Sequence, residues 1–451
     1  MDRKIVLLGA GSRYFETVLA ELALTPDLAG CRVVLYDVDA RGMRLMHQAG
    51  RRIFEKAGAR LKLSSTTDLA RALDGTDFAI SSIGVHGPDY AWHRLDSEVC
   101  ARFGIMHTTG DTVGPSGLSQ ALRIIPVYMA IAREMQKRCP GVILLNHSNP
   151  MEAICRAIIK YTGINVVGYC HNVPNDTEWY GQLLGVNPAE LEVAVAGPNH
   201  MNWVVSVRHH GRDVYPELKR WILRMKPQRG RMFAVEVLRL LDLVPIGDDR
   251  HVIEFFPHAR IATRREDIPY QMQWRPDLLD DLLRARGGVD SFLLRAQGKA
   301  EPLIPEKPSP ESMGEQVRAM ALGIEHFQYV NTPNLHSVPN LPPWAVLELR
   351  SVVGSYGARP LPIGDLPAQA ARWSLAHIYA HELAVDAAVE GSRRKALQAL
   401  ACDSMMLNFT EVGAVFDAIV EAQGPRLARF RRPRAQRSVR ASRKNFEGRN
   451  P

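Results

Sequence analysis

The sequence predicts an α/β protein: a doubly wound parallel sheet followed by a second, mixed α/β domain. Three observations lead there. Through the first 170 residues, short runs dense in Val, Ile and Leu alternate with stretches of helical spacing. A glycine turn, Gly9-Ala10-Gly11, joins the first such run to the first helical stretch. After about residue 175 the alternation gives way to strand pairs and longer helical stretches.

The expected strands are 4–10 (KIVLLGA), 32–39 (RVVLYDVD), 78–84 (FAISSIG), 142–149 (VILLNHSN) and 165–170 (NVVGYC). Near-continuous apolar runs suit strands buried on both faces. Between them, RYFETVLAELAL, RGMRLMHQAGRRIFEKA and LSQALRIIPVYMAIAREMQKR place apolar residues at helical spacing. Pro126 is expected to bend or divide the last of these. Strand and helix in alternation imply a parallel sheet with right-handed crossovers. Further on, ELEVAVAGPNHMNWVVSVRHHGRDVYPEL reads as strands around a loop, with a hairpin at His210-Gly211-Arg212. Long helices are expected at 216–242 and 365–400, and a surface loop at the Pro-rich stretch 302–312.

With 451 residues, 46% hydrophobic and 23% charged, the chain is globular with room for more than one domain. No apolar run has the length to span a bilayer, and MDRKIVLLGAGS does not read as a signal peptide. The six cysteines are scattered with no CxxC pair, which implies reduced thiols and a cytoplasmic setting. The net charge of +8 owes much to the arginine-rich segment 426–449. That segment is expected as a solvated tail or subunit contact, and a nucleic-acid partner is not expected.

Gly9 and Gly11 permit a tight turn and close approach of backbone to a pyrophosphate at a helix N-terminus. Ser12 follows them. Tyr14 stands where the third glycine of a Rossmann fingerprint would be. Asp37 ends the next strand, placed for ribose hydroxyls, which favours NAD over NADP. The plain alternative is a doubly wound domain that has lost its nucleotide.

Cys170 and His200 each follow an apolar run, and each lies beside an asparagine. Groups at the carboxyl ends of parallel strands face the ligand crevice. Asn146, His147 and Asn149 sit in the same way after the fourth run. A lone Cys is more often a small buried hydrophobe. A Cys–His pair can instead hold a divalent metal with coordination sites open to substrate.

The sequence also resembles glycoside hydrolase family four, the NAD- and manganese-dependent glycosidases. The resemblance spans residues 3 to 420 and rests on seven pieces in order. They are GAGS at the first turn, GDTVGPSGLSQALRIIPV (110–127), NHSNPM (146–151), VGYCHN (167–172), AGPNHMNW (196–203), VNTPNLHSVPNLPPWAVLE (330–348) and PLPIGDLP (360–367). It implies a Rossmann-type sheet followed by a lactate/malate-dehydrogenase-like C-terminal domain. It also implies residues 1–172 for NAD, 173–425 for substrate, metal and subunit contacts, and 426–451 as a basic tail. Cys170 and His200 match the family's Mn²⁺ ligands, with other divalent ions as substitutes. The implied reaction oxidises C3 with NAD⁺, removes the C2 proton, eliminates the C1 substituent, adds water and returns the hydride. This family departs from the two-carboxylate glycosidase scheme.

By the same resemblance Asn149 binds substrate, His171 faces the C3 hydroxyl, and Asn172 and Asn199 position substrate or metal. The C2 base is expected in GDDRHVIEFFP (247–257). Several relatives have a Tyr where this chain has Phe255, so Asp249 is assigned, with Asp248 and His251 as alternatives. The loop resembles the α-galacturonidase and α-glucuronidase branch, in which Arg250 or His251 would meet a hexuronate carboxylate. A homodimer or homotetramer is also implied. The rival readings are a lactate- or malate-type dehydrogenase and a non-catalytic NAD-bound sensor.

Overall fold

A computed structural model describes residues 1–256, 264–287 and 290–432. Its main sheet opens with six parallel strands: β1 (Lys4–Leu8), β2 (Arg32–Tyr36), β3 (Lys62–Thr66), β4 (Phe78–Ser81), β5 (Ile143–Asn146) and β6 (Asn165–Gly168). The hairpin region supplies β7 (Leu191–Ala196), β8 (Trp203–His209) and β9 (Arg212–Asp213) as a separate antiparallel sheet. Then β10 (His326–Pro333), β11 (Val346–Gly354) and β12 (Gly357–Pro360) join the first sheet. Its order is β12-β11-β10-β6-β5-β4-β1-β2-β3. The order reverses between β1 and β4, the switch point at which doubly wound sheets bind ligands. Strands from both sides of residue 172 therefore share one sheet.

Alternation within the strands explains the two layers. Val6 and Leu8 face one core with the helix Gly114–Arg138, while Ile5 and Leu7 face another with the helices Tyr14–Ala23 and Ala40–Ala57. All four side chains are fully buried. Each such burial contributes about 1.5–3 kcal/mol.

Every expected strand stops short of its predicted end, because the overshoot forms loops at the carboxyl edge. β3 escaped the sequence reading: Lys-Leu-Ser-Ser-Thr has no apolar run, and it lies at the sheet edge, mostly exposed. The helix Gly114–Arg138 runs unbroken through Pro126. The stretch 216–242 is two helices, Tyr215–Arg224 and Met232–Leu241, and 365–400 divides at Gly391, whose φ of 72° ends the helix Ala368–Glu390. The first residues of the expected tail, 426–430, are folded. Gly424–Phe430 forms a 3-10 turn that buries Leu427 and Phe430, apolar residues three apart in an otherwise basic run. Residues 433–451 lie outside the described residues. Among the described residues, no helix is long and apolar enough to cross a membrane.

Candidate active site

The first turn is built as the glycines require. Gly9 has φ 85°, and a Cβ there would come within 2.6 Å of the Ser82 carbonyl oxygen. The Gly11 amide donates to Asp37 Oδ2 at 2.7 Å, and the Ser12 and Ser82 hydroxyls pair at 3.0 Å. Gly9, Gly11, Ser12 and Asp37 thus gather at the ends of β1 and β2, as a dinucleotide would need. Tyr14, in place of a third glycine, reaches across to Glu311 Oε2 at 3.1 Å and to His147 at 3.0 Å.

Beyond this turn lies a cavity of about 330 Å³. Asn149, Cys170, His171, Asn172, His200, Arg250 and His251 all line it, together with Tyr14 and Ser82. Cys170 follows β6. His200 arrives from the turn between β7 and β8, which is folded tightly. Gly197 has φ 141°, and a Cβ on it would meet the Met201 carbonyl oxygen at 2.5 Å. His200 itself is held at φ 66°, the left-handed region that non-glycine residues enter rarely.

The Cys170 sulfur lies 4.0 Å from His200 Nε2. His200 Nδ1 is 3.2 Å from the Thr112 hydroxyl, which donates its own proton to Asp111 Oδ1 at 2.9 Å. Thr112 can then only accept from His200, so Nδ1 carries the proton and the Nε2 lone pair faces the sulfur. The 4.0 Å between sulfur and Nε2 leaves room for one ion that both atoms would hold. Asp111 and His251 bring further ligand atoms within 4.8 Å of His200. Burial pushes the Cys170 thiol well above its ordinary value, so a cation is needed to hold it as thiolate. The donor set therefore fits a divalent metal.

The loop carrying Asp111 and Thr112 is gripped by a buried carboxylate. Glu254 Oε1 accepts from the amides of Thr108 (2.8 Å) and Thr109 (3.0 Å), and Oε2 from that of Gly110 (3.0 Å). Burial opposes the Asp111 charge, but His200, His251 and Arg275 around it hold its carboxyl well below the usual range. Burial lowers the pKa of both His200 and His251, favouring neutral rings. His171 stands at the rim, its side chain 62% exposed, with Nδ1 3.6 Å from Glu311 Oε1. That carboxylate raises its pKa.

Three expectations need correction. Asp249 does not reach the cavity. Its two carboxylate oxygens accept from the amides of Phe233 (2.8 Å) and Ala234 (2.9 Å), capping the helix Met232–Leu241 from a distance. Asn199 lies fully buried behind the cavity, donating to Glu348 Oε2 at 3.1 Å. It does not line the cavity and is placed to hold Glu348 rather than to touch substrate. The Pro-rich stretch 302–312 is not all surface, because it delivers buried Glu311 to the cavity.

Sequence reasoning missed Tyr14, Asp111, Arg275 and Glu311 as lining residues. Asp111 was within reach, inside the 110–127 piece. Arg275 carries no local signal; it enters from a distant helix start.

Models of two families of domain match the chain: Family 4 glycosyl hydrolase over residues 4–185, and Family 4 glycosyl hydrolase C-terminal domain over 195–406. The chain belongs to glycosyl hydrolase family 4. Among family members, an α-galactosidase of Bacillus subtilis is 28% identical over 95% of this chain and 100% of its own. An α-galacturonidase of Lachnoclostridium phytofermentans is 25% identical over 90% and 92%. A 6-phospho-α-glucosidase from gut microorganisms, solved in complex with NAD and Mn²⁺, superposes with a TM-score of 0.80 at 20% identity, over 94% and 99%. A Plasmodium falciparum malate dehydrogenase gives 0.51 at 11% identity over 88% and 99%, a likeness of fold alone. Family 4 structures thus hold NAD and Mn²⁺ in the fold this chain adopts.

Two outcomes follow from the geometry. Asp249→Ala is expected to destabilise folding by about 0.5–2 kcal/mol in urea unfolding, as loss of a helix cap does. Loss of a catalytic base would instead abolish turnover at unchanged stability. Burial pushes Glu348 up to about 7, against the hydrogen bond from Asn199. A carboxyl that binds its proton more tightly folded than unfolded favours folding at low pH. That advantage is lost as pH rises from the unfolded value of about 4.3 to the folded one. Melting temperatures between about pH 5 and about pH 8 should therefore fall less steeply in Glu348→Gln than in the parent, by up to ~3 kcal/mol in stability.

Proposed function

We propose that the chain hydrolyses an α-glycoside of a hexuronic acid, an α-galacturonide or α-glucuronide, with NAD⁺ and Mn²⁺ as cofactors and no net oxidation. The observation that carries this is convergence: Tyr14 from the helix after the glycine turn, Ser82 paired with Ser12 of that turn, the thiol–imidazole pair and two arginines line one cavity. When bound, the metal would hold and polarise sugar oxygens while NAD⁺ would take up a hydride from C3 and return it.

The remaining roles fall to the chain. His171 at the rim accepts the proton of the C3 hydroxyl, and Glu311 stabilises the imidazolium that results. His251 accepts the C2 proton; it is the cavity-lining base of its loop, and its neutral ring has a lone pair to offer. Asn149 Oδ1 and Asn172 Nδ2 are enclosed without a hydrogen-bond partner among the described residues, as groups awaiting sugar hydroxyls would be.

The uronate assignment rests on charge. Arg275 bonds His93 through Nε at 3.1 Å, and no carboxylate among the described residues forms an ion pair with it. Arg250 lies 3.9 Å from Asp248 at nearest. Two guanidiniums that line the cavity, one with a single long contact to Asp248 and one with only the charge of Asp111 near it, suit a substrate carboxylate. Relatives named α-galacturonidase support the same choice.

The test is a panel of p-nitrophenyl α-glycosides and galacturonate oligomers with NAD⁺, Mn²⁺ and a reductant. The expected result is metal-dependent glycoside cleavage, solvent deuterium at C2 of the product and no stoichiometric NADH. Stoichiometric NADH would mark a dehydrogenase instead, and NAD binding without turnover a sensor. Cys170→Ser should lose both tight Mn²⁺ binding and turnover. Arg275→Ala should lower kcat/KM for the galacturonide by about 10–100-fold, the worth of a hydrogen bond to a charged group. The neutral galactoside should change far less.

A further inference from the structure

Behind His200 lies a second cluster. Glu152 is on the first turn of the helix Met151–Thr162; His377 and His381 are one turn apart on the helix Ala368–Glu390. All three are buried. Glu152 Oε1 accepts from His377 Nε2 at 2.6 Å and lies 2.8 Å from His381 Nδ1. The two rings lie 3.9 Å apart between centroids, tilted by 51° to one another. His381 Nε2 donates to the Thr112 carbonyl oxygen at 2.9 Å.

His381 Nε2 donates to a carbonyl, while Nδ1 lies 2.8 Å from a carboxylate outside hydrogen-bonding geometry; an imidazolium suits both neighbours, one through the hydrogen bond and the other through charge. The pKa directions agree. Burial opposes both charges, yet Glu152 is held low by the two imidazoles and His381 is raised by Glu152. Burial takes His377 down to about 4, leaving it a neutral donor. A buried ion pair costs several kcal/mol of desolvation per ion and is weak as a stabiliser. This one makes a single contact toward the site, the Thr112 carbonyl. Gly117 makes room there: a Cβ on it would come within 2.5 Å of that oxygen. The other end of Thr112 is the hydroxyl that sets the His200 tautomer.

We propose that Glu152 and His381, braced by His377, are positioning residues that fix Thr112 and through it hold His200 with Nε2 free for the metal. The proposal rests on the reading of Cys170 and His200 as the metal pair. Partners beyond the ligands themselves commonly alter metal affinity by 10–100-fold.

The experiment uses the full chain. Mn²⁺ affinity is read from the electron paramagnetic resonance of free Mn²⁺, and NAD⁺ affinity from calorimetry. The His200 tautomer is read from ¹⁵N-histidine NMR of the metal-free protein, with His200→Ala for assignment. His381→Ala should weaken Mn²⁺ binding about tenfold, leave NAD⁺ binding unchanged and shift His200 from the Nδ1–H form toward a mixture. His381→Gln keeps an N–H for the carbonyl and should recover most of the loss. Glu152→Gln should fall between the two. A His381→Ala protein with wild-type Mn²⁺ affinity and an unchanged tautomer overturns the proposal. So does a parallel loss of Mn²⁺ and NAD⁺ binding, which marks general loosening. If His381→Ala does not fold, Glu152→Gln and His381→Gln carry the same comparison. If the wild-type protein binds no Mn²⁺, the metal reading fails by itself, and the tautomer comparison in the metal-free protein decides whether the clamp stands.

Discussion

The site depends on one buried carboxylate. Glu254 collects three consecutive backbone amides, Thr108 to Gly110, and so fixes the loop that carries Asp111 and Thr112 into the helix Gly114–Arg138. Those amides are buried and have no strand to pair with, and an unpaired buried donor costs about 1–3 kcal/mol. Anchored at one end by Glu254, the loop is anchored at the other by Asp403, which accepts from the Gly114 amide at 2.8 Å. Between these anchors the Thr112 hydroxyl has little freedom. That lack of freedom decides which nitrogen of His200 carries a proton.

From this follows the division of labour between the two halves of the chain. The parallel sheet supplies everything that must sit at a strand end: the glycine turn, Asn149 and Cys170. The second half supplies groups that reach over that edge, His200 from a hairpin turn and Arg250, His251 and Arg275 from helical starts. β10 and β11 extend the same sheet. They place Glu348 behind the site, where Asn199 and Asn202 both donate to it at about 3 Å. A thiol pushed up by burial and a carboxyl pushed up to about 7 lie on this side of the cavity. Burial keeps the sulfur as a neutral thiol, so a cation bound beside it would have to displace the proton, which would make metal affinity depend on pH.

What was legible in the sequence was the part written in short-range patterns. The apolar runs gave β1, β2, β4, β5 and β6 because strands buried on both faces need such runs. β3 carries no run, because an edge strand is half solvated. Gly9, Gly11 and Asp37 were legible because a tight turn beside a pyrophosphate leaves few choices. Cys170 and His200 were legible as a pair, since each is a ligand type at the end of an apolar stretch. Glu311 and Arg275 were not. Each works at the site through a contact with residues far away in the chain, as Glu311 does with Tyr14, 297 positions apart. The Pro-rich composition around Glu311 points to a loop and says nothing about which side of that loop faces inward.

Asp249 went wrong for a reason that also supports His251. Five titratable residues crowd the segment from Asp248 to Glu254, and a sequence offers no way to rank them. The structure shows each acid already engaged with backbone amides. Asp248 accepts from the Arg250 amide at 3.0 Å, starting its own short helix. Asp249 caps the helix Met232–Leu241. Glu254 holds the 108–110 loop. A carboxylate whose oxygens already hold backbone amides of the frame is not placed to reach a substrate C–H. The acids of the segment hold the frame, and its two basic side chains, Arg250 and His251, line the cavity. With Phe255 packed edge-on against His377 at 4.8 Å, no phenol at that position competes for the role. In the proposed reaction, the His251 imidazole, 4.3 Å from the ring of His200, is the base left beside Cys170 and His200.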